Sequence, residues 1–448
     1  MKKTLIILSV FVIVFTSCKK DDYESTPLKN NYFEFVVSSN YLINNTSRVD
    51  RVWVIVYSAD NEILIKQELQ NGITYTFDTI KISKSGLKVQ TILYRDYAED
   101  YSSDDYYNFS TYTNITPGIW KFGSEPQDEL EPIGTITLNI NDIELYNYYI
   151  VELRSSYTYG FSHNESICEI AQYFDTDDVW LMLLNQDEAP YYKWFGDVAL
   201  NGAISVSSSE LDQMSDYVDM AFPANTSMYI YIESEDDLST DFWDYYLVYL
   251  NSWDDGQTSI RAYFPGDVFS GYYTYLIAWN DYITETMLTS RGSVPNEFEQ
   301  IDATITISNS NVNDFNATIN GTTDVCYHYW SHTEFIETEE IDFNYRVYGP
   351  TENTFVYDAP PIPEDIKTLN SQLLVLGKLE YSYSGFNEYD ILNGYEEYIK
   401  AYKKDQRNLI QEGVKRLWKY IYSQETKNMN KVDDKEVLKK IKQELYDF

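Results

Sequence analysis

A mainly β chain, built of tandem sandwich domains and closed by a C-terminal α-helical segment, is what three features of this sequence predict. Short runs of branched and aromatic residues recur along most of the 448 residues. Turn dipeptides such as Asn-Gly punctuate those runs. The apolar spacing changes to a helical period only after about Asn387. The length fits about three domains.

Taken in order, the first β unit spans 31–132. Arg51–Tyr57 (RVWVIVY) reads as a strand, Ala59-Asp60-Asn61-Glu62 as a turn, and Ile63–Leu69 as an alternating strand. Asn71-Gly72 then leads into Ile73–Phe77, a spelling that signals a hairpin because both turn residues need positive φ. Leu87–Tyr94 adds a strand, and Pro126 and Pro132 close the unit. The second unit, 133–294, repeats this grammar at Thr135–Ile140, Tyr148–Leu153, Val179–Leu184, Ala203–Val206 after Asn201-Gly202, Ser227–Ile232, Phe242–Leu250, Ile260–Phe264 and Tyr272–Trp279. A third, 295–386, holds Ala303–Ile307, Asn316–Ile319, Asn320-Gly321, Asp324–Trp330 and a late strand at Leu373–Tyr383. In 387–448, Asn393 and Glu396 spell a capping box, and Tyr395, Tyr398, Tyr402, Ile410, Val414, Leu417 and Ile421 follow at near-helical spacing. A second helix is expected from Asp433 with the stripe Val437, Leu438, Ile441 and Leu445. This near-neutral tail is expected to dock on the body or to mediate self-association.

The N-terminus encodes an address. Lys2 and Lys3 precede the apolar run Thr4–Phe15, which suits a signal-peptide core and is too short to span a bilayer comfortably. It ends in Phe15-Thr16-Ser17-Cys18, which resembles the lipobox of bacterial lipoproteins, with Phe where Leu is usual. The resemblance implies a signal peptide over 1–17, lipidation (palmitate among the acyl chains) of Cys18, and a tether over 18–30. Several acyl chains would anchor the protein stably in a membrane. Lys19-Lys20-Asp21-Asp22 resembles the surface-export signal of Bacteroidetes lipoproteins. Together these imply an outer-membrane lipoprotein exposed at the cell surface. The stretch VWVIVYSADNEILIKQ likewise resembles the opening of transthyretin-like and immunoglobulin-like (Ig-like) domains of Bacteroidetes surface lipoproteins, fimbrial anchors included. It carries no catalytic motif.

A formal net charge of −38 excludes a nucleic-acid binder, which needs a basic footprint. With 44 Tyr, 21 Phe and 9 Trp the chain has ample apolar surface to fold. Three histidines leave few places for histidine chemistry. Cys168 and Cys326 are expected as buried free thiols. Cys326, His328 and His332 alternate on one strand and are the weak candidates for a metal, but the strand's length would hold the outer pair too far apart for one ion. No cofactor is expected. The runs Asp175-Thr176-Asp177-Asp178, Asp236-Asp237 and Asp254-Asp255 complete no calcium loop.

Two aromatic-acid stretches are the candidate ligand sites, both expected in loops. One holds Tyr101, Asp104, Asp105, Tyr106 and Tyr107; the other holds Tyr191, Tyr192 and Trp194. Aromatic faces offer apolar contact to sugar rings while carboxylates accept from hydroxyls. No Gly-x-Ser-x-Gly, His-Glu-x-x-His or phosphate-loop spelling occurs. The reading is a non-catalytic binding or adhesion module for a glycan or another envelope protein. A structural subunit or anchor of a surface appendage or transport complex, and a paired-carboxylate glycoside hydrolase, are the rival readings.

Overall fold

The computed structural model describes residues 32–43, 48–78, 86–97, 105–123, 132–141, 148–153, 156–160, 167–184, 189–222, 226–235, 247–253, 258–266, 268–280, 284–336, 339–367, 376–404 and 415–423. The fold is mainly β. Its backbone is one twelve-stranded sheet, in the order Leu247–Trp253, Thr226–Glu235, Gly271–Asn280, Thr284–Gly292, Lys415–Tyr422, Glu380–Tyr389, Val325–Ile336, Glu339–Gly349, Asp105–Ile115, Leu87–Tyr97, Arg48–Tyr57 and Ile63–Glu68. Every neighbouring pair is antiparallel except one. Glu339–Gly349 lies parallel to Asp105–Ile115, with Arg346 opposite Ser110. This long sheet draws strands from all three expected units and from the expected tail.

Smaller sheets cover parts of it. Tyr32–Val37 lies between Thr74–Asp78 and Gly118–Phe122, and Phe33, Phe35, Trp120 and Phe122 meet Val52, Val54 and Val56 of the long sheet. The alternation of Arg48–Tyr57 serves two layers, because Trp53, Ile55 and Tyr57 enter the core on the other face. A second three-stranded sheet (Ile167–Gln172, Gly134–Asn141, Ala203–Ser207) packs Ile136, Leu138 and Ile140 against Val179, Leu181 and Leu183 of a five-stranded sheet. The third (Thr304–Asn309, Phe315–Asn320, Thr354–Tyr357) places Phe315 and Phe355 against Trp330 and Tyr345 of the long sheet.

The Asn-Gly turns do something other than close hairpins. Ile63–Glu68 edges the long sheet, whereas Thr74–Asp78, beyond Asn71-Gly72, pairs with Tyr32–Val37. Across Asn201-Gly202, Tyr191–Ala199 pairs with Thr176–Leu184 but Ala203–Ser207 pairs with Gly134–Asn141. Across Asn320-Gly321 the chain leaves the third small sheet for Val325–Ile336 of the long one. Gly72, Asn201 and Gly321 adopt φ of 71°, 58° and 105°, so the expected left-handed turns form but switch the chain between sheets.

The tail departs furthest from expectation. Tyr395–Lys404 is a helix, and Tyr395, Tyr398 and Ile399 pack in the core beneath Trp120. The Glu397 carboxylate accepts from the Asn393 N–H at 2.9 Å, one residue later than the expected cap. Buried Asp324 holds the approach by accepting from the N–H groups of Tyr389 (2.8 Å) and Gly394 (2.6 Å). Lys415–Tyr422, however, is a strand between Thr284–Gly292 and Glu380–Tyr389, not part of a helix. In KRLWKYIY the side chains Leu417 and Ile421 join one core while Trp418, Tyr420 and Tyr422 join the opposite face. That two-residue period is served by a sheet and not by a helix. The expected second helix lies outside the described residues, as do 1–30 with Cys18. The late strand begins at Glu380, seven residues beyond the expected Leu373. Among the described residues no helix is long and apolar enough to cross a membrane.

Candidate functional site

At the rim of the long sheet, a cleft of about 840 Å³ opens between the third small sheet and the strands carrying Glu380 and Tyr422. Ile305, Ile307, Leu379 and Ile421 supply its apolar surface. Ser308-Asn309-Ser310-Asn311, Glu380, Tyr381, Tyr422 and Ser423 supply amides, hydroxyls, aromatic rings and a carboxylate. Apolar walls with a few placed polar groups are the usual character of a small-ligand site.

The polar wall is braced from behind. Asn309 Nδ2 donates to Asp314 Oδ2 (3.0 Å), and its Oδ1 accepts from the Asn311 N–H (3.0 Å). Asn311 Oδ1 accepts from the Asn313 N–H (2.9 Å), capping the short 3-10 turn Val312–Asp314. Buried Trp330 donates through Nε1 to the Ser310 carbonyl at 2.7 Å. These bonds use backbone groups and amide oxygens, while Ser310 and Asn311 themselves are exposed at the cleft.

Tyr381 is set by a buried chain. Its hydroxyl lies 2.7 Å from Ser384 Oγ, which lies 2.6 Å from His328 Nδ1. Ser384 and His328 are fully buried, and desolvation pushes the His328 pKa down to about 3. A neutral imidazole therefore ends the chain, with Nε2 lacking a partner. The Tyr381 ring stacks on Phe315 (5.9 Å) and meets Trp330 edge-on (5.7 Å). Burial also raises the pKa of the Tyr381 phenol, so it stays a neutral hydrogen-bonding group.

The residues singled out in the sequence lie elsewhere. Tyr101 and Asp104 are outside the described residues, and Asp105 opens a strand and not a loop. Tyr107 is core: its ring stacks between Tyr94 (4.6 Å) and Phe343 (5.3 Å). Tyr106 points to the other face, under the Arg95 guanidinium at 5.0 Å. Tyr191, Tyr192 and Trp194 also form a strand, Tyr191–Ala199. Tyr192 stacks on Trp180 at 5.2 Å and Trp194 meets Phe269 edge-on at 5.6 Å, so both pack on the core while staying partly exposed. Both stretches read as loops because acids and Pro190 flank them, yet an adjacent aromatic layer was waiting for each.

Cys326, His328 and His332 do alternate along one strand, but they do not gather. Cys326 Sγ faces the carbonyls of Gly349 (3.5 Å) and Pro350 (3.3 Å), and burial pushes its pKa up to about 12. His332 lies against Phe343 and 3.9 Å from Glu334. No metal-ligating cluster of three occurs among the described residues. Cys168 and Cys326 are buried free thiols. The cleft itself was missed; its one signal in sequence is the amide-and-hydroxyl run Ser308–Asn311.

No family model matches the chain, and no curated protein matches it. Among solved structures, a tetra-tandem repeat in the extending region of a large adhesion protein is similar at 6% identity. The match covers 80% of this chain and 94% of that one with a TM-score of 0.12, which carries no argument about fold or function.

Proposed function

We propose that the protein is a non-catalytic binding module that holds an oligosaccharide in the rim cleft, displayed at the outer surface of a bacterial envelope by lipid on Cys18. The cleft carries this reading. Amide and hydroxyl donors over an aliphatic floor, with Tyr381 and Tyr422 as ring faces, match the alternating polar edges and apolar faces of a sugar chain. Glu380 is the single carboxylate among the residues that line it, whereas the glycoside hydrolase rival needs two acting across one bond. The anchor is supported by the N-terminal spelling Phe15-Thr16-Ser17-Cys18 followed by Lys19-Lys20-Asp21-Asp22.

A glycan array probed with the full chain in detergent is the test. We expect a hit whose affinity falls about three- to tenfold in Tyr381→Ala, the scale of one lost aromatic contact. An array without any hit would overturn the reading. Accessibility of the chain to protease on sealed cells tests the location; resistance until lysis would contradict it.

A further inference from the structure

Ile305, Ile307 and Ile421 give the cleft an apolar surface that is branched and not flat. All three are partly exposed, and all three pack against the same core as Tyr381. A plain hexose presents hydroxyls around its edge, and setting these on aliphatic side chains costs hydrogen bonds with water. A methyl group on the sugar would gain by the same contact. Among the described residues no lysine, arginine or histidine lines the cleft, and Glu380 is its one charged side chain. Nothing there would hold an anionic sugar by charge.

Tyr381 has a direction as well as a place. Its oxygen lies 2.7 Å from Ser384 Oγ, which lies 2.6 Å from His328 Nδ1. The other imidazole nitrogen, Nε2, is buried without a hydrogen-bond partner, and the rings of Phe315 and Phe355 lie 4.5 and 4.4 Å from the imidazole. His328 is neutral, so a single ring proton has to be placed. On Nε2 it would be a buried donor with no oxygen or nitrogen to receive it. A lone pair there leaves only an acceptor unused, which folded proteins tolerate more readily. With the proton on Nδ1, the imidazole donates to Ser384 Oγ and the serine hydroxyl donates to the Tyr381 oxygen. The phenol proton of Tyr381 is then left for a different acceptor, and Tyr381 lines the cleft.

We propose that the cleft selects an N-acetylated sugar, whose acetamido methyl lies against Ile305, Ile307 and Ile421 and whose carbonyl accepts from the Tyr381 hydroxyl. The proposal rests on the glycan reading of the cleft and adds the class of sugar. An acetamido group joins a methyl to a strong acceptor and carries no charge. The methyl of a 6-deoxy sugar would fit the isoleucines but bring no acceptor for Tyr381. A uronic acid would bring an acceptor without a methyl, and would set its charge in the same cleft as Glu380.

Chitotriose, cellotriose and the glucosamine trimer are the probes, titrated by calorimetry into the full chain. We expect chitotriose to bind at least about tenfold more tightly than cellotriose, the scale of one hydrogen bond with one buried methyl. Tyr381→Phe keeps the ring and loses the donor. It should weaken chitotriose more than cellotriose and shrink the preference to about fourfold or less, the share of the methyl. Ile307→Thr should shrink the preference from the methyl side, and it leaves the hydrogen bonds of Ser384 in place. Full preference retained in Tyr381→Phe would overturn the proposal. Equal affinity for chitotriose and cellotriose would overturn it too, and so would a glucosamine trimer binding as tightly as chitotriose; both leave the cleft reading intact. Binding of none of the three would likewise overturn the acetamido class. A hit elsewhere on the glycan array would then keep the cleft reading, and an empty array would sink it as well.

Discussion

Tyr107 and Tyr112 lie on one strand of the long sheet, Tyr383 and Tyr422 on two others, and the two pairs have opposite fates. Tyr107 and Tyr112 are 5% and 1% exposed, whereas Tyr383 and Tyr422 remain partly open. Among the described residues, the difference is what lies above each strand. Asp105–Ile115 is covered on both faces: Tyr107 joins one core, and Tyr112 lies beneath Trp120 and Tyr402 in the other. The cluster to which Tyr383 and Tyr422 belong takes all its described members from the long sheet itself. A tyrosine's role here is decided by the neighbouring layer and not by the acids beside it in sequence.

The severest way to break this comparison is to remove the strand that joins its halves. Lys415–Tyr422 hydrogen-bonds on both sides, and its loss would expose two strand edges and empty one wall of the core. Truncation after residue 414 should therefore leave a chain without cooperative unfolding and with a diminished β signal in circular dichroism. A truncated chain that melts cooperatively near the original temperature would show that the sheet tolerates the gap.

Paired substitutions sharpen the same contrast. Tyr112→Ala should lower stability by about 3–5 kcal/mol in urea titration, as loss of an enclosed aromatic does. Tyr383→Ala should cost about 1–2 kcal/mol, since its ring is only partly buried against Tyr329, Tyr420 and Tyr422. Similar losses at both positions would mean that Tyr383 is as enclosed as Tyr112.

Most strands were legible because branched and aromatic residues at period two report burial locally, as Arg51–Tyr57 and Tyr272–Trp279 did. Sheet membership was not, since it depends on partners such as Arg346 and Ser110 that lie far apart in sequence. Lys415–Tyr422 shows the limit in miniature. Val414, Leu417 and Ile421 satisfy a helical stripe, while Arg416, Trp418, Tyr420 and Tyr422 satisfy strand alternation, and only the waiting strands on either side choose between them. The site was less legible still. Tyr381, Tyr422 and the Ser308–Asn311 run come from three separate segments, and no local composition marks their convergence.

His328 provides the smallest and most specific test, because its burial on the core side of the sheet can be read by protonation alone. Its pKa is about 3 when folded and about 6.5 in an unfolded chain. Between those values the unfolded state binds a proton that the folded state refuses. Stability from this group is therefore full above about pH 6.5 and declines as the pH falls toward 3. From pH 6.5 to about 4.5 the loss should amount to about 2 kcal/mol. His328→Asn keeps a group able to reach Ser384 Oγ but does not titrate, so its urea midpoint should fall less steeply over that range. Tyr383→Ala, which leaves His328 and its burial in place, should leave the slope unchanged. Parallel acid limbs in the original protein and His328→Asn would show that water reaches the imidazole, and that Tyr381 is not held against a dry core.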